Sequence, residues 1–214
     1  IRDRYERFSQ LMFAYAYDLT PEVEICSIDE GYLDLTSQRS GQPRESALRL
    51  SLQIKKELKI TISQGLASNK FCSAVASKMK KPNNFIEVPA GTEKEFLAPL
   101  PVRWLPGIGT KTEPRYFEAG ITTIHQVASL SLQELERLAG SSAPDLHLFA
   151  QGIDSRPVTP ASADPKSFGE QETFDTDQTD ELFCLATLRA MVDRLCRKLR
   201  REGFAARTLS LRIR

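Results

Sequence analysis

The stretch Val23-Glu24-Ile25-Cys26-Ser27-Ile28-Asp29-Glu30-Gly31-Tyr32-Leu33-Asp34-Leu35-Thr36 constrains the fold more than any other part of the chain. Val23, Ile25, Ile28, Tyr32, Leu33 and Leu35 favour strands, and Gly31 suits a turn or bulge between them. The simplest reading is a hairpin with Asp29 and Glu30 at its tip. Adjacent carboxylates repel, so a fold that holds them together usually supplies a cation. Ligands made only of oxygen favour a hard ion such as Mg2+. An acidic surface turn is the plain alternative, because Asp and Glu are ordinarily exposed.

Helical and extended patterns alternate around this stretch. Asp3 to Tyr17 places Tyr5, Phe8, Leu11, Met12 and Tyr15 at three- and four-residue steps, which predicts an amphipathic helix with these groups in the core, stopped before Pro21. A polar turn over 37–42 leads to Pro43 at the first position of a helix reaching Leu58. Ile60 to Leu66 has strand character and passes at Gly65 into a helix from Ala67, an arrangement that can bring a helix start to an anion. Pro82 stops that helix, and Phe85 to Val88 reads as a short strand. Thr92 to Glu95 has the capping-box pattern, as does Ser131 with Glu134. Short helices are expected over Thr123–Ala128, Ser131–Ala139 and Asp145–Gly152. His125 and His147 have no neighbouring ligand partners and read as surface or satisfied histidines.

The motifs Ser27-Ile28-Asp29-Glu30 and Tyr32-Leu33-Asp34 resemble the palm motif of Y-family translesion DNA polymerases, the group of bacterial polymerase IV and UmuC-type enzymes. Ser63, Gly65, Ala67, Asn69-Lys70, Ala76-Ser77 and Lys81-Pro82 resemble the second palm motif of that family. The resemblance implies that Asp29 and Glu30 are catalytic ligands of two Mg2+ ions, and that Lys70 touches the triphosphate of the incoming nucleotide. It also implies a third carboxylate on an earlier palm strand, upstream of this chain, which reads as a fragment cut at both ends. Asp34 has a structural role in this reading.

Val102-Arg103-Trp104-Leu105-Pro106-Gly107-Ile108-Gly109-Thr110-Lys111-Thr112 resembles the helix-hairpin-helix of DNA repair proteins. Glycines let the backbone turn tightly, and the free N–H groups at the start of the second helix can hold a DNA phosphate without reading a base. Gly107, Ile108, Gly109, Thr110 and Lys111 are therefore candidate DNA contacts, while Trp104 and Leu105 are expected in the core. Asp154 to Lys166 has the proline and small-residue content of a linker. Lys166 to Phe174 resembles the opening strand of the little finger of the family. Asp180 to Glu202 predicts a long helix capped by Gly203. From Arg207 to Arg214, Leu209, Leu211 and Ile213 alternate with polar residues, and Arg212 and Arg214 are candidate contacts to the DNA backbone.

The expected fold is thus α+β. It comprises a partial polymerase palm with an antiparallel sheet (1–90), an all-α helix-hairpin-helix thumb (91–153), a linker (154–165) and the start of an α/β little finger (166–214). The implied function is DNA-directed, damage-bypassing DNA synthesis by two-metal phosphoryl transfer. The implied partners are primer-template DNA, a deoxynucleoside triphosphate and a replication sliding clamp. A non-catalytic DNA-binding relative of the same fold is the alternative.

A formal charge of +1 over 214 residues names no partner by itself. Cys26, Cys72, Cys184 and Cys196 lie too far apart for a structural zinc site, and fit buried free thiols in a reducing cytosol; the resemblance implies a bacterial, DNA-associated cytoplasmic protein. No apolar run approaches the roughly 20 residues of a membrane span.

Overall fold

The computed structural model describes residues 2–37, 43–160 and 165–213. Most of the expected turn over 37–42, residues 161–164 of the expected linker and Arg214 lie outside the described residues. Two units divide the chain, Ile1–Ala161 and Ser162–Arg214.

In the first unit, helix α1 (Arg2–Tyr17) has no glycine or proline to interrupt it. Phe13 and Ala16, with Val23, form a small core against Met12 and Leu33. Tyr5, Phe8 and Leu11 are exposed, so the expected core face is corrected. Spacing identifies more than one apolar stripe on this helix, and the hairpin packs on the one centred at Phe13. Strands β1 (Val23–Ile25) and β2 (Gly31–Leu33) pair antiparallel, with Val23 opposite Leu33, Glu24 opposite Tyr32 and Ile25 opposite Gly31. Gly31 therefore begins a strand and makes no turn. A Cβ there would lie 2.8 Å from both the Glu24 carbonyl oxygen and the Phe13 ring, so close packing explains the glycine.

Helix α2 (Pro43–Leu58) buries Ala47, Leu50 and Ile54. Only the last part of the expected Ile60–Leu66 strand pairs. Strand β3 (Gln64–Leu66) runs parallel to β4 (Phe85–Glu87), with helix α3 (Lys70–Lys78) as the crossover between them. The antiparallel hairpin is thus accompanied by a parallel ladder. Gly65 brings α3 onto the ladder, because a Cβ there would sit 2.1 Å from the Ser73 carbonyl oxygen.

Five short helices follow: α4 (Glu93–Leu97), α5 (Glu113–Glu118), α6 (Ile124–Ala128), α7 (Leu132–Ala139) and α8 (Ala143–Ala150). Ser131 and Glu134 form the expected capping box at α7. The one expected at Thr92 is absent, because the Thr92 hydroxyl donates to the Pro89 carbonyl and the Glu93 carboxylate accepts from Gly91 N–H. Leu97, Val102, Leu105, Tyr116, Ile124, Val127 and Leu135 are buried in one core with Phe71, Cys72 and Val75 of α3. That core crosses the palm–thumb boundary expected near Ala90. Trp104 packs on its edge.

In the second unit, helix α9 (Glu181–Arg201) starts at Asp180, whose carboxylate accepts from Leu182 and Phe183 N–H. Gly203, at φ +76°, follows it. Phe168 packs against Phe204 at a 50° tilt with ring centres 5.4 Å apart, and Lys198 lies 5.5 Å from the Phe168 ring centre. Neither 166–174 nor 207–213 forms a strand, and Leu209, Leu211 and Ile213 are exposed. Alternation makes a segment suited to a sheet, but a strand also needs a partner edge, and the described residues offer these segments none.

Candidate active site

Five residues, Cys26 to Glu30, connect the hairpin strands, and the loop closes on itself. The Glu30 carbonyl accepts from both Cys26 N–H (2.9 Å) and Ser27 N–H (3.0 Å). The Ser27 hydroxyl donates to Asp29 Oδ1 at 2.6 Å and accepts from Asp29 and Glu30 N–H. Ser27 thus orients Asp29 without neutralising it. Both Asp29 and Glu30 are exposed. They line a groove of about 450 Å³ together with Lys78, Lys81 and apolar side chains including Phe13 and Leu33. The Glu30 carboxylate stands 3.8 Å from Lys78 Nζ. Asp34 accepts from Thr36 N–H at 2.8 Å, which fits the structural role expected for it.

Lys70 is placed differently from the expectation. It lies at the other end of α3, and its ammonium donates to both Glu24 carboxylate oxygens at 2.7 and 2.6 Å. It also donates to the Pro157 carbonyl at 3.2 Å and sits 4.8 Å from the Tyr32 ring centre. The anion expected at this helix start is supplied by the chain itself. The Asp154 carboxylate accepts from Phe71 N–H at 3.0 Å, and Asn69 caps the helix through Cys72 N–H. Lys78 and Lys81, which line the groove with the carboxylate pair, were missed as candidate phosphate contacts. The Lys-Pro end of the second palm motif was the signal for Lys81.

At the glycine turn, Gly107 adopts φ +83°, whereas Gly109 needs no such freedom. Ile108 is buried and its N–H donates to the Leu105 carbonyl, so it anchors the turn and offers neither side chain nor amide to a ligand. The N–H groups of Gly109, Thr110 and Lys111 have no acceptor among the described residues, and all three residues are exposed. The element preceding the glycines is a 3-10 turn, Val102–Trp104. In the second unit Arg212 is exposed, and Arg214 lies outside the described residues.

Cys26 is exposed, contrary to the expectation of buried thiols, whereas Cys72 is buried and its thiol is pushed up to about 11 by that burial. Among the described residues, no three His, Cys, Asp or Glu side chains converge to hold a metal. No described helix is long and apolar enough to cross a membrane.

This hairpin, with its carboxylate tip beside α3 and the helical layer behind, is the arrangement of a Y-family polymerase. Residues 2–78 match the impB/mucB/samB family, and residues 165–214 match the C-terminal domain of the same family. Together these matches cover more than half of the chain, which belongs to the impB/mucB/samB family of Y-family polymerases. It is 41% identical to DNA polymerase IV of Opitutus terrae over 98% of this chain and 55% of that protein. It is 36% identical to DNA polymerase IV of Dehalococcoides mccartyi over 98% of this chain and 54% of that protein. The chain therefore spans about half the length of the curated relatives it matches. Among solved structures it resembles DinB from Sulfolobus solfataricus, with TM-score 0.69 and 30% identity over 75% of this chain and 48% of that one. A Y-family DNA polymerase chimera covers 92% of this chain and 58% of its own, with TM-score 0.77 and 26% identity.

Proposed function

We propose that this chain is part of a translesion DNA-directed DNA polymerase that adds deoxynucleotides to a primer 3′ end. The observation that carries the reading is the gathering of two exposed carboxylates, Asp29 and Glu30, and two lysines, Lys78 and Lys81, around one groove. The two carboxylates offer oxygen donors, which suit a hard divalent ion, and Asp29 and Glu30 would hold Mg2+. When bound, a pair of such ions activates the attacking hydroxyl and stabilises the leaving pyrophosphate. Two carboxylates are few for a pair of ions, so a further acidic ligand outside the described residues belongs to this proposal.

The chain's own residues then have separate tasks. Ser27 fixes the Asp29 carboxylate, Lys78 and Lys81 attract nucleotide phosphates, and the N–H groups of Gly109, Thr110 and Lys111 hold a DNA phosphate independently of sequence. Arg212 and Arg214 add contacts to the backbone. Primer-template DNA and a deoxynucleoside triphosphate are the partners, with a sliding clamp recruiting the enzyme in the bacterial cytoplasm. The insertion ternary complex of Dbh DNA polymerase, 31% identical and with TM-score 0.68, supports the choice of partners.

The test is primer extension by the full-length protein containing this chain. Asp29→Ala and Glu30→Ala should each lower the rate by about a thousandfold or more, as expected when several kcal/mol of metal-dependent stabilisation are lost. DNA affinity should stay close to wild type. Extension at wild-type rates in either variant would show that the pair is not catalytic. A wild-type protein that binds DNA but never extends a primer would be the non-catalytic relative.

A further inference from the structure

Three consecutive residues at the start of α3 bind the chain that leaves α8. Asn69 Nδ2 donates to the Gly152 carbonyl at 2.9 Å. Lys70 Nζ donates to the Pro157 carbonyl, and Phe71 N–H to the Asp154 carboxylate. Arg156 closes over this segment, with Nε 2.7 Å from Asp154 Oδ1 and its guanidinium 5.0 Å from the Phe149 ring centre. The opposite side of the cluster belongs to the hairpin. Glu24 on β1 takes both bonds from Lys70, and its Oε2 also accepts the Thr159 N–H at 2.8 Å. Tyr32, its cross-strand partner, lies beneath the ammonium. The Lys70 and Glu24 side chains are only 12% and 22% exposed.

An ammonium that touches two carboxylate oxygens, a carbonyl and an aromatic face has its donors engaged by the protein. Swinging it toward a nucleotide would strip Glu24 of its counter-charge in a half-buried site, which is strongly unfavourable. We infer that Lys70 is a positioning residue. It ties the hairpin bearing Asp29 and Glu30 to segment 152–159, and it is not a phosphate ligand. α3 then meets the hairpin at two places, the largely buried Lys70–Glu24 pair and the exposed Lys78–Glu30 pair. The two pairs stand about 12 Å apart along a helix rising 1.5 Å per residue.

The test follows the Thr159 amide by residue-resolved hydrogen exchange in this chain. The Ile124 amide, bonded to the Leu100 carbonyl within the helical core, reports global folding. Lys70→Met and Glu24→Gln should each speed Thr159 exchange about tenfold or more, with Ile124 unchanged. The double variant should go no further than the larger single effect, and Lys70→Arg, which keeps the charge, should stay within about threefold of wild type. Unchanged Thr159 exchange in Lys70→Met, or multiplicative effects in the double variant, overturns the inference. If Lys70→Met also exposes Ile124, then Glu24→Gln and Lys70→Arg decide by the same criteria.

A second readout separates the two roles of Lys70. Were it a phosphate ligand restrained by Glu24, Glu24→Gln would free it and tighten binding of Mg2+-dATP, whereas Lys70→Met would weaken it. A tie predicts that both substitutions shift the Kd in the same direction or leave it unmoved, and opposite shifts count against it. The exchange readout holds whether or not the protein copies DNA, so its failure is distinct from failure of the polymerase reading.

Discussion

Glu24 is ionised against the pull of its surroundings. Burial opposes its charge, but the Lys70 ammonium and the Thr159 N–H outweigh burial and hold the carboxyl below its ordinary 4.5. Asp154 behaves alike: burial opposes ionisation, and Arg156 and Phe71 N–H bring the carboxyl below 3.8. A carboxyl depressed in the folded state stabilises the fold above its ordinary value, and that contribution disappears as pH falls through the depressed one. The Thr159 amide-proton shift should therefore change in a transition centred below pH 4.5, and the Phe71 shift in one centred below pH 3.8. A transition centred above the respective value would contradict this. None of this could be seen in the local sequence, because Lys70 meets partners 46 and 87 residues away. Nothing in Asn69-Lys70 distinguishes a phosphate contact from an internal tie. Asp29 and Glu30 were legible because the signal, paired acids between β-prone runs, is local.

Among the elements, those whose determinants lie within a few residues were readable. The hairpin follows from alternation about a polar loop, and the α7 start from Ser131 and Glu134, which satisfy each other's donors. The Thr92 box fitted the same pattern and failed, because Glu93 turned back to Gly91 and Thr92 to Pro89. The 207–213 alternation is a surface looking for a sheet, and sequence cannot say whether an edge is available. Gly65 was noticed for the helix start that follows it, whereas its main effect is packing. These cases separate in stability. Gly65→Ala would drive a methyl into the backbone of α3 and should destabilise the first unit by about 3 kcal/mol or more. Ser131→Ala removes one cap and should cost about 1 kcal/mol. Urea unfolding of the two variants should rank them in that order.

Across the whole molecule, positive charge matters by where it sits, since 29 basic and 28 acidic residues nearly cancel. In the proposed function, the exposed amides at 109–111 and the lysine among them form a contact that reads no base. Lys111→Ala should weaken primer-template binding by similar factors for unrelated sequences and flatten the plot of log affinity against log salt by about one unit. Sequence-dependent loss would indicate base contact and would count against the phosphate reading. The resemblance of the motifs at 27–34, 63–82 and 102–112 was enough to place the fold in its class. The joining of α3 to the helical layer was not readable, because it depends on which apolar faces meet. That joining has a mechanical consequence. With Phe71, Cys72 and Val75 embedded among the residues of α4 to α8, the hairpin's neighbour and the glycine turn belong to one cooperative block. If a DNA strand is held at 109–111 as proposed, a force that tugs on it is borne by the same packed block that backs the carboxylate loop.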